Sequence, residues 1–594
     1  MAKIIDSSDP LTSNQYSAWS PGIETEIPDQ YRLLETIYDS KNVSSSIDEI
    51  NALAQETGLS PEELVVFRPD RLALHELIVR VTADIVVLEG EHEEDLGIRF
   101  RSIANKIMDA YLAPHLPEFD LTFQALYQKA RSMVDKELSE SLFTAPPAST
   151  KSKPSILSRF FAAPKKQPRN LESTQERQLR VISSFKDKGL RTDDPFESAV
   201  YRSLYRVLGS IVSTRGYLGK DQEMLIELIT THICSRYGSR LIGKQVDVWV
   251  KQAVKDEGYS LIPDAQKPIL ISLKGSSAAG KSSLRPMLRQ MMYQLGIEED
   301  GYGTISPDIW RRLLLDYDSL GEAYKYAGRL TSYEVIIIDA KLDHYIRSKA
   351  QHRKSTPHLV VDRFRFDSFA SEKITRILHK TYARYVDTMY MYFVVTPPED
   401  TVERGWERGL IRGRYKSVED FLGHCIEAYA GMPKLLFKWL ANKRPKFIFE
   451  FLDNSVAHGH YPTMIARGTQ AHMDIFDPIA FINIERYQKI NVMARSLDAV
   501  YPEPSVLEVA KNIGFLQQCI RKIEHIRFLD LASDRTYVTA TDGKFQVTDV
   551  ELLATKLLDP DLSSIFLQLA PEICNIGDSQ ASQADVSRTG EYYE

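Results

Sequence analysis

At 594 residues the chain exceeds what one hydrophobic core serves, since a single core rarely grows past about 250–300 residues, so several domains are expected. Composition is that of an ordinary soluble globular protein, with 43% hydrophobic, 26% charged and 10% aromatic residues. The net charge of -7 gives no global attraction to nucleic acid or anionic membrane, and no apolar run reaches the ~18–20 residues of a transmembrane helix.

The opening stretch, MAKIIDSSDPLTSNQY, lacks a basic segment followed by an apolar core and does not read as a secretory signal. Residues 1–140 are expected to form a helical N-terminal domain behind a polar lead-in. Leu72, Leu74, Leu77, Ile78 and Val81 recur at near-helical spacing, as do Phe123, Leu126 and Met133. Residues 141–171 break the pattern with Pro146, Pro147, Pro154, Pro164 and Pro168, and with six basic residues and no acidic one. They read as a flexible, solvated linker. Residues 172–265 return to a helical pattern through Leu225, Ile226, Ile229 and Ile233.

From 266 to 460 the texture changes. The β-rich runs PILISL, GYGTIS, HLVVDRF, MYMYFVV and FIFEFL alternate with helical stretches. That alternation predicts an α/β domain with a parallel sheet covered by helices on both faces. Residues 461–594 read as a mixed α+β region, with a hairpin turning at Asp542-Gly543 and a polar, disordered tail. Cys234, Cys425, Cys519 and Cys574 lie far apart, which speaks against a disulfide framework or zinc ribbon. The expected location is a reducing cytosol, the protein's own or that of a host into which it is delivered. His458 and His460 have no third ligand at metal spacing.

The most specific motif runs from Gly275 to Ser282, a full match to GxxxxGK(S/T). A strand precedes it, and Leu284, Leu288, Met291, Met292 and Leu295 form a helical stripe after it. A chain passing from strand to helix in so few residues turns successive N–H groups inward, where with the helix N-terminus they bind phosphate. The expected nucleotide-binding set is Gly275, Ser276, Ser277, Ala278, Ala279, Gly280, Lys281, Ser282 and Ser283. In such a loop Lys281 reaches the β- and γ-phosphates and the Ser282 hydroxyl ligates Mg²⁺. Pro286 is an oddity so early in a helix, because it lacks the N–H that would bond the Ser282 carbonyl.

Asp308 leaves the second strand, where a carboxylate suits either a base for the acceptor hydroxyl or a helix cap. Asp362 closes the apolar run HLVVD, the place of a carboxylate in the Mg²⁺ shell. Arg404, Arg408, Arg412 and Arg414 are separated by glycines, a pattern suited to a mobile lid that neutralises phosphoryl charge.

The P-loop, the Asp308–Arg312 element, the helical stretch with Arg329 and Glu334, the strand ending at Asp362, the arginine lid and the last strand with Asp453-Asn454 together resemble the zeta toxins. These are P-loop kinases related to bacterial UDP-N-acetylglucosamine kinases. The likeness covers roughly a third of the chain, about 268–455. It implies ATP- and Mg²⁺-dependent phosphorylation of a hydroxyl, with Asp308 as general base, Lys281 as phosphate clamp and Arg404, Arg412 or Arg414 as lid charges. It also implies that Glu334 faces the acceptor and that Asp453-Asn454 leads into the adenine-side loop. The chain departs from the family after Asp362, where Arg363 and Arg365 replace the usual small residues and threonine. Two arginines there suit a more anionic acceptor than a UDP-sugar, or serve as structural ion-pair partners. The long flanks fit an elaborated toxin or secreted effector whose helical regions hold a protein partner. The competing reading is a binding module that keeps ATP as a structural or switching ligand.

Overall fold

The computed structural model describes residues 16–143, 173–363, 384–457 and 459–574, together with a short strand at Ala584–Asp585. The chain forms two compact units, neither continuous in sequence. One comprises Leu33–Ile78 and Asn105–Asp256. The other comprises Met1–Arg32, Val79–Ala104 and Glu257–Glu594. These units do not follow the expected boundaries at 140, 265 and 460. Part of the N-terminal region belongs with the P-loop, and the C-terminal region is not separate from it.

The first unit is helical. Ser46 and Ser173 open the helices Ile47–Thr57 and Thr174–Arg191 with capping boxes that use Glu49 and Glu176. In the helix Pro195–Arg215, Val200, Leu204, Val207, Leu208 and Ile211 are fully buried, which is the apolar face the periodicity requires. Most of the linker expected at 141–171 lies outside the described residues.

The second unit is built on an eleven-stranded sheet. Its strands are β1 (Ile269–Lys274), β2 (Tyr302–Ile305), β3 (His358–Asp362), β4 (Thr388–Val395), β5 (Lys446–Asp453), β6 (Thr463–Thr469), β7 (His472–Ile475), β8 (His525–Asp530), β9 (Arg535–Thr541), β10 (Lys544–Val547) and β11 (Ala584–Asp585). They lie in the order β11-β10-β9-β8-β7-β6-β5-β4-β1-β3-β2. From β2 to β5 every pairing is parallel. All five runs read as strands in the sequence are strands of this half.

The other half is mixed. β6 lies antiparallel to β5, with Phe449 opposite Gly468. A Cβ at Gly468 would lie 2.5 Å from the Phe449 ring and 2.4 Å from the His472 carbonyl, so glycine permits the join. Phe451 of β5 meets Phe481 and Phe515 from the C-terminal region, with centroids 5.3 and 6.0 Å away. That shared aromatic core keeps 461–574 from forming an independent domain. The β9–β10 hairpin turns at Asp542 (φ 49°) and Gly543 (φ 77°), the left-handed pair that a two-residue turn needs.

β1 has β3 on one side and β4 on the other. The chain reverses its direction of travel across the sheet at β1. Ligands of open α/β sheets bind beyond the carboxyl ends of the strands at such a switch point.

Candidate active site

β1 is buried through Ile271 and Leu273 and delivers the chain to the glycine-rich loop at the switch point. The loop passes into a 3-10 turn at Lys281–Leu284 and then the α-helix Arg285–Gln294. Pro286 stands in the first turn of that α-helix, where its missing N–H costs little. The N–H groups at the start of this run have no intrahelical acceptor. Ala278 (φ 61°) and Gly280 (φ 86°) take left-handed angles that turn the loop. Gly280 is also required sterically, because a Cβ there would lie 2.1 Å from Asn454 Nδ2. A Cβ at Gly275 would come within 3.0 Å of the Val394 carbonyl. Asn454 Nδ2 and Thr396 Oγ1 both donate to the Ala279 carbonyl, at 2.8 and 3.1 Å. The ends of β4 and β5 thus hold the loop's curvature.

Lys281 Nζ donates to the Gly275 and Ser276 carbonyls at 3.0 and 2.7 Å. Burial pushes its pKa down, against the pull of Asp362 and Asp308. Asp308 sits in the 3-10 turn Pro307–Trp310 after β2. It accepts from Arg311 Nε at 2.9 Å and from Arg414 Nη2. Burial alone would raise its pKa, but Arg414 and Arg311 hold it well below the ordinary carboxylate range. Asp308 is therefore no mere helix cap. Asp362 ends β3, with Arg285 Nη2 3.7 Å away.

Of the residues expected at the acceptor, Arg363 borders the cavity with its charge paired, and Glu334 does not border it. Arg363 is buried and bridges Asp339 at 2.9 Å and Asp343 at 2.7 Å, so its charge is already matched. Glu334 is fully buried in the helix Ser332–Arg353 and does not line the cavity, whereas Asp339 of the same helix does. Arg365 lies outside the described residues.

The lid is the helix Pro398–Arg412, ended by Gly413 at φ 66°. Two of its glycines are sites of close packing. A Cβ at Gly405 would lie 2.1 Å from the Phe421 ring, and one at Gly409 2.4 Å from Tyr415. Arg404 donates to the Val456 carbonyl at 2.9 Å. Arg412 pairs with Glu93 at 2.6 Å and Glu94 at 3.3 Å, and Arg414 holds Asp308. Arg408 differs from the other three. It faces Ser277 Oγ at 3.5 Å, its Nε has no partner, and it has no carboxylate ion pair among the described residues. Burial, then repulsion from Arg414, pushes its pKa down to about 9, so it stays charged at neutral pH. The sequence places Arg408 among the four lid arginines without setting it apart from the others. The four-residue spacing of Arg404, Arg408 and Arg412 on one helix face was the available signal.

These groups line one cavity of about 2630 Å³. Pockets for one ligand span about 300–1,000 Å³, so it has room for a donor and an acceptor together. The loop from Ser277 to Ser283, Asp308, Asp362 and all four lid arginines border it. So does Glu89–Ile98, a segment that sequence reasoning assigned to the N-terminal domain. Within it, Glu93 borders the cavity together with Ser282 and pairs with Arg412 at 2.6 Å. Burial opposes its charge, yet Arg412 and Ser282 hold its pKa below the usual value. Trp19 Nε1 donates to Glu403 of the lid at 2.7 Å, so residues near the N-terminus also engage this unit. Among the described residues no three His, Cys, Asp or Glu side chains cluster as a metal cage, and no helix is long and apolar enough to cross a membrane.

Two solved structures are similar to the chain, the AvrRxo1-ORF1:-ORF2 complex in its native form and the same complex with ATP. Each is 14% identical with a TM-score of 0.27. The matches cover 39% and 37% of this chain and 66% and 63% of the neighbours', less than two thirds of their length. A likeness of that degree carries no functional argument. No family model matches the sequence, and no curated protein does.

Proposed function

We propose that the protein is an ATP- and Mg²⁺-dependent phosphotransferase of the zeta-toxin type, moving the γ-phosphoryl group to a hydroxyl of a small anionic molecule. The observation that carries this reading is the meeting of Lys281, Ser282, Asp308, Asp362 and Arg408 around one cavity at the switch point. The loop fits a polyphosphate. Its left-handed turn at Ala278 and Gly280 leads into the start of a helical run that borders the cavity. Arg408 brings a buried charge with no carboxylate partner among the described residues.

The acceptor oxygen attacks the γ-phosphorus, the bond to the β-phosphate oxygen breaks, and ADP leaves. The acceptor's proton passes to the Asp308 carboxylate. Arg311 and Arg414 keep that carboxylate ionised and oriented. Lys281 and Arg408 neutralise charge on the moving group. Ser282 and Asp362 would hold Mg²⁺, which supplies further charge neutralisation. One hydroxyl, one carboxylate, phosphate oxygens and water make an ordinary magnesium shell.

Arg363 is matched by two aspartates, so an anionic acceptor must be read by other residues. Arg101 and Arg312 line the same cavity and have no carboxylate within 4.0 Å among the described residues. Their mutual repulsion is relieved by an anion between them. The helical unit is the region assigned to a protein partner, in keeping with a toxin or effector.

The test is incubation with γ-labelled ATP, Mg²⁺ and a fractionated cytosolic metabolite pool. Label is expected in an organic phosphate, and Arg408→Ala is expected to cut the rate by about 10²–10³-fold. Nucleotide binding without label transfer to any fraction would replace the enzyme with an ATP-held binding module.

A further inference from the structure

The segment Glu89–Asp95 contains five carboxylates in seven residues: Glu89, Glu91, Glu93, Glu94 and Asp95. It is irregular chain followed by a turn, between the bridge of Ile85 to Leu261 and the helix Asp95–Ile107. Both ends are thus anchored in the unit that holds the P-loop, while the stretch between can move without breaking a helix or strand. Its hold on the site consists of separate polar contacts. Thr304 Oγ1 donates to Glu89 at 3.0 Å, Arg289 Nη1 to the Gly90 carbonyl at 3.3 Å, and Arg412 pairs with Glu93 and Glu94.

The position of Glu93 gives these contacts a common meaning. Its carboxylate pairs with the guanidinium of Arg412, at the end of the lid, and borders the same cavity as Ser282, at the mouth of the phosphate loop. A carboxylate in that position offers the loop and the lid what a terminal phosphate would offer them, oxygen acceptors and negative charge. While Glu93 stays paired with Arg412 inside the cavity, it occupies space and cationic charge that a bound Mg·ATP would need.

We propose that Glu89–Asp95 is an internal competitor of the nucleotide, with Glu93 standing in for phosphate oxygens until ATP displaces it. The proposal rests on the phosphotransferase reading of the same cavity. Arg412 then serves two roles, latched to the segment in the resting protein and released to the phosphates when nucleotide enters. The ion pair to Arg412 must break before the cavity accepts ATP, which lowers its apparent affinity.

The experiment is calorimetric titration of Mg·ATP into the full chain, wild type and Glu93→Gln, with hydrogen exchange of residues 86–97 followed in the wild type. Glu93→Gln is expected to bind Mg·ATP about tenfold or more tightly, and exchange over 86–97 in the wild type is expected to rise on adding Mg·ATP. The exchange measurement needs no variant, so misfolding of the mutant cannot decide the outcome. Equal affinities with unchanged exchange would leave the nucleotide site intact and remove the competitor alone. Weaker binding by Glu93→Gln would make Glu93 part of the cation–nucleotide site and overturn the proposal. Absence of binding in both proteins would remove the nucleotide reading and the competitor with it.

Discussion

Lys281→Ala abolishes phosphoryl transfer, with a loss on the order of 10³-fold or greater, while the protein remains folded. Charge accumulates on the transferring group in the transition state, and a buried cation that neutralises it is worth far more there than in water. Lys281 is half-buried at the cavity wall, and its ammonium is held by the Gly275 and Ser276 carbonyls. It is positioned before any ligand enters. Removing it leaves two carbonyls at the cavity wall that water can serve, at a stability cost of about 1 kcal/mol. A turnover assay beside a thermal melt separates the two effects. Normal turnover would remove the phosphate role of the loop.

Asp308→Asn retains ATP binding and lowers transfer by about 10²–10⁴-fold, as expected when a positioned base is lost. Asparagine keeps the size and one acceptor oxygen, so Arg311 keeps a hydrogen-bonding partner. The charge that orders Arg414 is gone. The pH profile gives an independent reading. Arg414 and Arg311 depress the pKa of Asp308 despite burial, so this group stays ionised through neutral and mildly acidic pH. Transfer by the wild type should fall only at strongly acidic pH, as far as Asp308 sets it. An unchanged rate in Asp308→Asn would move proton acceptance to another carboxylate, with Asp362 the first choice.

The parts of the fold legible in the sequence were those fixed by local pattern. The five apolar runs around the P-loop are strands because each is a short, nearly continuous hydrophobic stretch, as a sheet buried on both faces demands. The Asp542-Gly543 hairpin was legible because its turn needs positive φ at both positions. Two of the four unit boundaries were hidden because they fall inside the helices Pro69–Asp84 and Asp95–Ile107, where periodicity continues without a break. The extension of the sheet past Asp453 depends on Gly468 accepting Phe449, a contact between strands that no local pattern reports.

The site divides in the same way. The glycine-rich loop is marked in the sequence by its spacing. The lid glycines look like hinges in sequence, yet Gly405 and Gly409 are small because Phe421 and Tyr415 lie against them. The four lid arginines look equivalent, but carboxylates from distant positions distinguish them. Glu93 and Glu94 take Arg412, Asp308 takes Arg414, and Arg408 is left facing the loop. Nothing in the acidic run near position 90 indicates that it meets a loop nearly 200 residues later.

Phosphorus NMR of Mg·ATP incubated with the full chain and a cytosolic metabolite pool tests the central claim most directly. The account predicts one new phosphate-ester resonance growing in step with ADP, absent with Lys281→Ala. Growth of inorganic phosphate alone, or ATP that stays unchanged while bound, would contradict it.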